Sequence, residues 1–251
     1  MSDADLVTTI VVAALSGGAG NIVAAPLQGV ADAVRERMKA RVLKTIDKAR
    51  AKAGGRSLEP NDRVHVKVLN EAAWTDDEII SDYLGGVLAA TGPNNDAGAA
   101  IVALIARLSA DQLRLHYVIY REIRRLWAGP AVNLYEQAKA DKAGVSIPIH
   151  ELALALGAPA TTNAASTMYA LGREDLLGNG WSVIYDPQHD KYGLQAKPSA
   201  LGAELFLWGH GAANTNANRL FDTTLELVFQ AAVAPTPGSR LLTPPEAPPT
   251  T

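Results

Sequence analysis

Two helix starts written into the stretch from Glu71 to Trp127 constrain this chain more than any other feature. Thr75-Asp76-Asp77-Glu78 and Ser109-Ala110-Asp111-Gln112 both read as capping boxes. In such a box the Ser/Thr side chain and the Glu/Gln three residues on satisfy the free N–H groups of a first helical turn. After the first box, Ile79, Ile80, Tyr83, Leu84, Val87 and Leu88 recur at helical spacing; after the second come Leu113, Leu115, Tyr117, Val118, Tyr120, Ile123 and Leu126. Each helix must bury a face. Alanine supplies much of the 48% apolar fraction and aromatics only 6%, which favours close-packed helices over a sheet sandwich. The expected class is mostly α: a helical N-terminal domain followed by a winged-helix-like α+β module.

The chain's 251 residues allow one large domain or two small ones. Residues 1–30 form an apolar, Ala/Gly-rich segment broken at Pro26, and 31–144 an α-helical domain. That domain opens with a helix over Ala31–Ala53 carrying Val34, Met38, Val42, Leu43 and Ile46, closed by Gly54-Gly55. Pro60-Asn61-Asp62 starts another helix that runs to about Trp74, and Ala99 to Leu108 and Val132 to Ala143 are two more. The acidic start (Asp3, Asp5) is unlike a secretory signal. The apolar run Leu6 to Leu15 falls short of the roughly 20 residues that span a bilayer. A cytoplasmic protein is expected, with membrane association through residues 1–30 as the alternative.

From Ile147 the order becomes helix, turn, helix, hairpin, helix. Pro148 opens the first helix, which stops at Gly157; the second covers Thr162 to Leu171. Trp181–Tyr185 and Tyr192–Ala196 face each other across Asp186-Pro187-Gln188-His189-Asp190 as a β-hairpin, and Ser199 starts a further helix through Trp208. This is the order of a winged helix, assigned to 145–212. A C-terminal amphipathic helix is expected within 213–234 (Arg219 to Val233), and a disordered Pro/Thr-rich tail over 235–251.

The central segment resembles the Abi-alpha (abortive infection alpha) family, a bacterial group associated with defence against phage. The resembling residues are Leu69-Asn70-Glu71-Ala72-Ala73 with Thr75-Asp76-Asp77-Glu78, then Asp82-Tyr83-Leu84-Gly85-Gly86-Val87-Leu88-Ala89, then Leu108-Ser109-Ala110-Asp111-Gln112. The resemblance implies a phage-defence role and supplies no catalytic residues.

No nucleophile, base and oxyanion donor, and no metal-ligand spacing, assembles from the residues. No catalytic, cofactor or metal residue is therefore assigned, and a non-enzymatic protein is expected. With no Cys, disulfides and thiolate sites are excluded. Ser16-Gly17-Gly18-Ala19-Gly20-Asn21 lacks the Lys-Ser/Thr of a phosphate loop. Among the histidines, His116 sits at core positions, and His189 with Asp186 and Asp190 lies on a turn that suits solvent better than a metal.

The strongest local charge is on the first helix: Arg35, Arg37, Lys39, Arg41, Lys44, Lys48, Arg50 and Lys52. This set fits an anionic membrane surface. Glu71, Asp76, Asp77, Glu78 and Asp82 offer the same cations an internal or intersubunit partner, which needs no ligand. The winged-helix-like segment is net negative, and its second helix, Thr162 to Tyr169, has no Arg or Lys, so nucleic acid is disfavoured. The expected function is phage defence through a protein partner or self-association as a homo-oligomer. Two alternatives stand: a membrane-active effector using residues 1–52, and a winged-helix transcription regulator.

Overall fold

The computed structural model describes residues 25–127, 132–157, 164–186, 191–212 and 216–242. Its elements are helices α1 (Ala25–Ala53), α2 (Asp62–Trp74), α3 (Glu78–Ala90), α4 (Gly98–Ile105), α5 (Ala110–Leu126) and α6 (Gln137–Ala140), strand β1 (Val145–Pro148), helices α7 (Ile149–Leu156) and α8 (Ala164–Arg173), strands β2 (Ser182–Asp186) and β3 (Lys191–Ala196), helix α9 (Ala200–Gly209) and strand β4 (Arg240–Leu241). The protein is thus mostly helical with one small antiparallel sheet. Two compact units divide it. Among the described residues the first holds 25–107, 208–212 and 227–231, and the second the remainder.

In the first unit α1 packs on α2 and α3, and α4 on α2 and α3. Met38, Val42, Ile46, Ala49 and Ala53 give α1 a buried stripe at three- and four-residue spacing, while Val34 and Leu43, expected on that stripe, are exposed. The helix begins at Ala25 rather than Ala31. Pro26 therefore falls in a first turn, where its missing N–H costs nothing. Residues 1–24, including the glycine-rich stretch, lie outside the described residues.

The expected Thr75 box is corrected. Helix α2 runs through Trp74, leaving Thr75 as its extended C-cap, and Asp77 caps α3 by accepting from the backbone N–H of Ile79 at 2.8 Å and Ile80 at 3.4 Å. Asp is as good an N-cap as Thr, so the start moves two residues on. Thr75 Oγ1 accepts instead from the Asp77 N–H at 3.2 Å. Where helix α3 meets the chain at Gly209, a Cβ on Gly86 would lie 2.1 Å from the Gly209 carbonyl oxygen. Only glycine fits there.

In the second unit the Ser109 box forms as expected, with the Ser109 N–H donating to Gln112 Oε1 at 2.8 Å and the Gln112 N–H to Ser109 Oγ at 3.2 Å. Helix α5 packs on α7, α8 and β1. The sheet order is β2-β3-β1-β4, with Ile147 opposite Leu194 and Val183 opposite Leu194 on the other side. The β-hairpin is as expected in β2 and β3, and its turn at 187–190, with His189, lies outside the described residues.

Three further expectations for this part of the chain are corrected. The Val132 to Ala143 helix is only α6 plus a 3-10 turn over Asp141–Ala143, and β1 follows it with Val145, Ser146 and Ile147 buried. The 213–234 helix is absent from the described residues. A 3-10 turn over Ala217–Phe221 leads into a turn and then chain without helix or strand, with Glu226, Val228 and Gln230 exposed and Leu225, Leu227 and Phe229 half-buried. This alternation is the period of a strand. The described part of the 235–251 tail is ordered: Thr236 and Ser239 are buried and β4 pairs with β1 through Val145 and Leu241. Backbone without helix or ladder partners needs side-chain ones. In the second unit Arg124 donates to the carbonyls of Leu220, Asp222 and Leu225, each at 2.7 Å, and Arg121 to those of Val233 at 3.3 Å and Ala234 at 3.0 Å.

Candidate functional site

The cations of α1 face the carboxylates at the start of α3, and four of the eight expected surface residues pair with them in turn. Arg41 forms a two-point ion pair with Asp76, and its Nη1 donates to the Ala73 carbonyl at 3.2 Å. Lys44 and Lys48 grip the two oxygens of Glu78 at 2.5 and 2.9 Å, and Lys52 meets Asp82 at 2.5 Å. The spacing of Arg41, Lys44, Lys48 and Lys52 puts them on one face. Hydrogen bonding to Arg41 holds the Asp76 carboxyl below its ordinary value, and Lys44 and Lys48 do the same for Glu78. Arg35 pairs with Asp32 at 2.8 Å and Arg50 with Asp47 at 3.4 Å within the same helix. Arg37 is exposed and Lys39 half-buried. The internal-partner reading of this helix therefore accounts for its inner cations.

Lys52 and Asp82 form the innermost pair, both side chains 0% exposed. The ammonium donates to the Asp82 carbonyl at 2.7 Å and the Gly209 carbonyl at 2.5 Å, and its charge pairs with Asp82 Oδ1 at 2.5 Å. The other carboxylate oxygen, Asp82 Oδ2, accepts the backbone N–H groups of Gln230 and Ala231, each at 2.7 Å. The Phe229 ring lies 5.1 Å from the ammonium, edge-on to Tyr83 at 5.8 Å and tilted over His210 at 5.2 Å. Burial pulls the Lys52 ammonium down from 10.5 to about 8, with Asp82 opposing the shift. A depressed lysine can be a nucleophile, but this one is sealed and already paired. Its chemistry is that of a clasp holding Leu227–Ala231 to the first unit. Lys52 and Asp82 were legible as opposite charges; the two N–H groups they organise carried no sequence signal.

In the second unit His116 Nε2 donates to the Gly202 carbonyl at 2.9 Å, and burial drives the imidazole down to about 3, so it is neutral. Beside it Tyr120 donates to the Leu176 carbonyl at 2.8 Å and accepts the Ser199 N–H at 2.9 Å. Ser199 Oγ in turn accepts the Gly202 N–H at 3.0 Å, capping α9. Tyr120 Oη and Ser199 Oγ also meet at 3.5 Å, a long contact beside shorter hydrogen bonds to the backbone. Of the second helix of the expected pair, Thr162 and Asn163 lie outside the described residues. The remainder, α8, exposes Ala165, Ser166 and Tyr169, the last 67% exposed and edge-on to Trp181 at 6.2 Å. On α7, Leu154 is 71% exposed.

Among the described residues no group of three His, Cys, Asp or Glu could hold a metal, and no helix is long and apolar enough to cross a membrane. Comparison with protein families, with curated proteins and with solved structures finds no match to this chain.

Proposed function

We propose that this is a non-enzymatic bacterial protein acting in phage defence through protein contacts, self-association included, and that residues 145–212 are a winged-helix-like module docking protein rather than DNA. The defence role rests on the Abi-alpha resemblance. The order β1-α7-α8-β2-β3-α9 within 145–212, with β3 between β1 and β2, supports the module. The observation that carries the mode of action is the exposed side of α8. Ala165, Ser166 and Tyr169 are uncharged, and Arg173 at the end of the helix has Glu174 at 3.8 Å. Phosphate contacts need cations at such a face, whereas exposed aromatics are what protein interfaces use.

Tyr169→Ala in the full chain tests this. Phage plating on cells carrying the protein should rise towards the unprotected level, and light scattering of the purified variant should show loss of an oligomer or of a captured partner, with folding unchanged. Plating and mass that match the unaltered protein would sink the docking role. Salt-sensitive duplex binding in a mobility-shift assay would put the regulator in its place.

A further inference from the structure

The first unit contains a cleft of about 340 Å³ that the clasp does not use. Its floor is apolar: Ile46 on α1 and Leu88 on α3 are buried, and Leu58 closes one side. Its rim is polar and cationic: Arg50 on α1, Arg56 and Ser57 on the linker after α1, and His65 on α2. Ile46 and Arg50 are one helical turn apart and so share a face. Gly54 and Gly55, at φ +59° and +87°, turn the linker back over that face, a conformation other residues resist. Arg56 is anchored by its N–H and its Nε, which donate to the Ala53 carbonyl at 3.1 and 3.0 Å.

Among the described residues no carboxylate lines the cleft. Arg50 pairs with Asp47 at 3.4 Å, both side chains more than half exposed. An exposed pair of that kind is weak, so an incoming anion can share the guanidinium. Guanidinium groups match carboxylate and phosphate oxygens in geometry as well as charge. The volume sits near the lower end for small-molecule sites, roughly 300–1,000 Å³. A flat polyanion would leave the apolar floor unused.

From these features we infer that the cleft binds a small organic anion, a single-ring apolar body carrying a phosphate or a carboxylate. The head group lies on Arg50 and Arg56 with Ser57 and His65 as further donors, and the body lies on Ile46, Leu58 and Leu88.

Calorimetric titration of the full-length protein with phenyl phosphate, phenylacetate, inorganic phosphate and benzyl alcohol tests the assignment. At least one aromatic anion should bind one-to-one, at least about tenfold tighter than both inorganic phosphate and neutral benzyl alcohol, a tenfold step being about 1.4 kcal/mol. Whichever aromatic anion binds tighter identifies the head group. In Arg50→Gln/Arg56→Gln, whose altered positions are exposed, binding should weaken about tenfold or more with the circular dichroism unchanged, because the charge-assisted hydrogen bonds are lost. Three results would overturn the site: no saturable binding of either aromatic anion up to about 10 mM, well above the millimolar affinity of the weakest specific ligands; equal binding of inorganic phosphate; or affinity untouched by the double substitution.

Discussion

Removing the Asp82 carboxylate should loosen the first unit at one identifiable place. Asp82→Ala strands the Lys52 ammonium, 0% exposed, with two backbone carbonyls and no carboxylate. It also strips the Gln230 and Ala231 N–H groups of the oxygen they share at 2.7 Å. Breaking a buried ion pair from one side costs about 3–5 kcal/mol. Each hydrogen bond to a charged group is worth about 1.5–3 kcal/mol, and these terms overlap rather than add. We expect the first unit to lose about 3–5 kcal/mol against urea. Because two units need not unfold together, the sharper assay is amide exchange by mass spectrometry. The peptide containing Gln230 and Ala231 should exchange about 100-fold faster, the equivalent of roughly 3 kcal/mol, while peptides from α5 and the sheet are unaffected. Lys52 adds a pH signature. Its folded value of about 8 lies below the ordinary 10.5, so between those limits the unfolded chain binds more protons and stability rises with pH, by at most about 1.4 kcal/mol per unit. That rise should vanish in Lys52→Met. Exchange at 230–231 unchanged in Asp82→Ala, with stability within about 0.5 kcal/mol, the scatter of an ordinary surface change, would refute the clasp.

Two other expectations follow from the packing. Gly86→Ala forces a Cβ to within 2.1 Å of a backbone oxygen, which rigid backbone cannot relieve, so the loss should reach about 3 kcal/mol or more. Gly92, with nothing within 4 Å of its added Cβ, should accept Ala within about 0.5 kcal/mol; equal melting points for the two variants would contradict the close approach. His116 is held neutral with its value lowered from 6.5 to about 3. The unfolded chain therefore takes up the extra proton as pH falls below 6.5, and at pH 5 the native state should be weaker by about 2 kcal/mol on this account. A wild-type melting curve that moves with pH no more than that of His116→Gln would show that the imidazole is not buried in this way.

Short-range chemistry made much of this protein readable from its sequence. Ser109 and Gln112 cap α5 because both halves of the reciprocal hydrogen bond lie within four residues. The stops at Gly54-Gly55 and the turn into Pro148 are likewise local, as is the helical period of Leu113, Tyr120 and Ile123. Local cues failed where two of them competed: Thr75 and Asp77 could each cap α3, and only the length of α2 decided between them. They failed again after Phe221, where Leu225, Val228 and Phe229 have the spacing of a helix while Leu225, Leu227 and Phe229 have that of a strand. That ambiguity was settled from a distance, by Asp82, with about 150 residues of chain between it and the N–H groups of Gln230 and Ala231, and in the second unit by arginines of α5 that take the carbonyls a helix would have used. Composition and charge pattern determined that Arg41, Lys44, Lys48 and Lys52 and the acids Asp76, Glu78 and Asp82 had to find each other or a ligand. Only the tertiary structure decided that they find each other, because the close packing of α1 on α3 brings the two faces within ion-pair distance and takes the last pair out of water altogether.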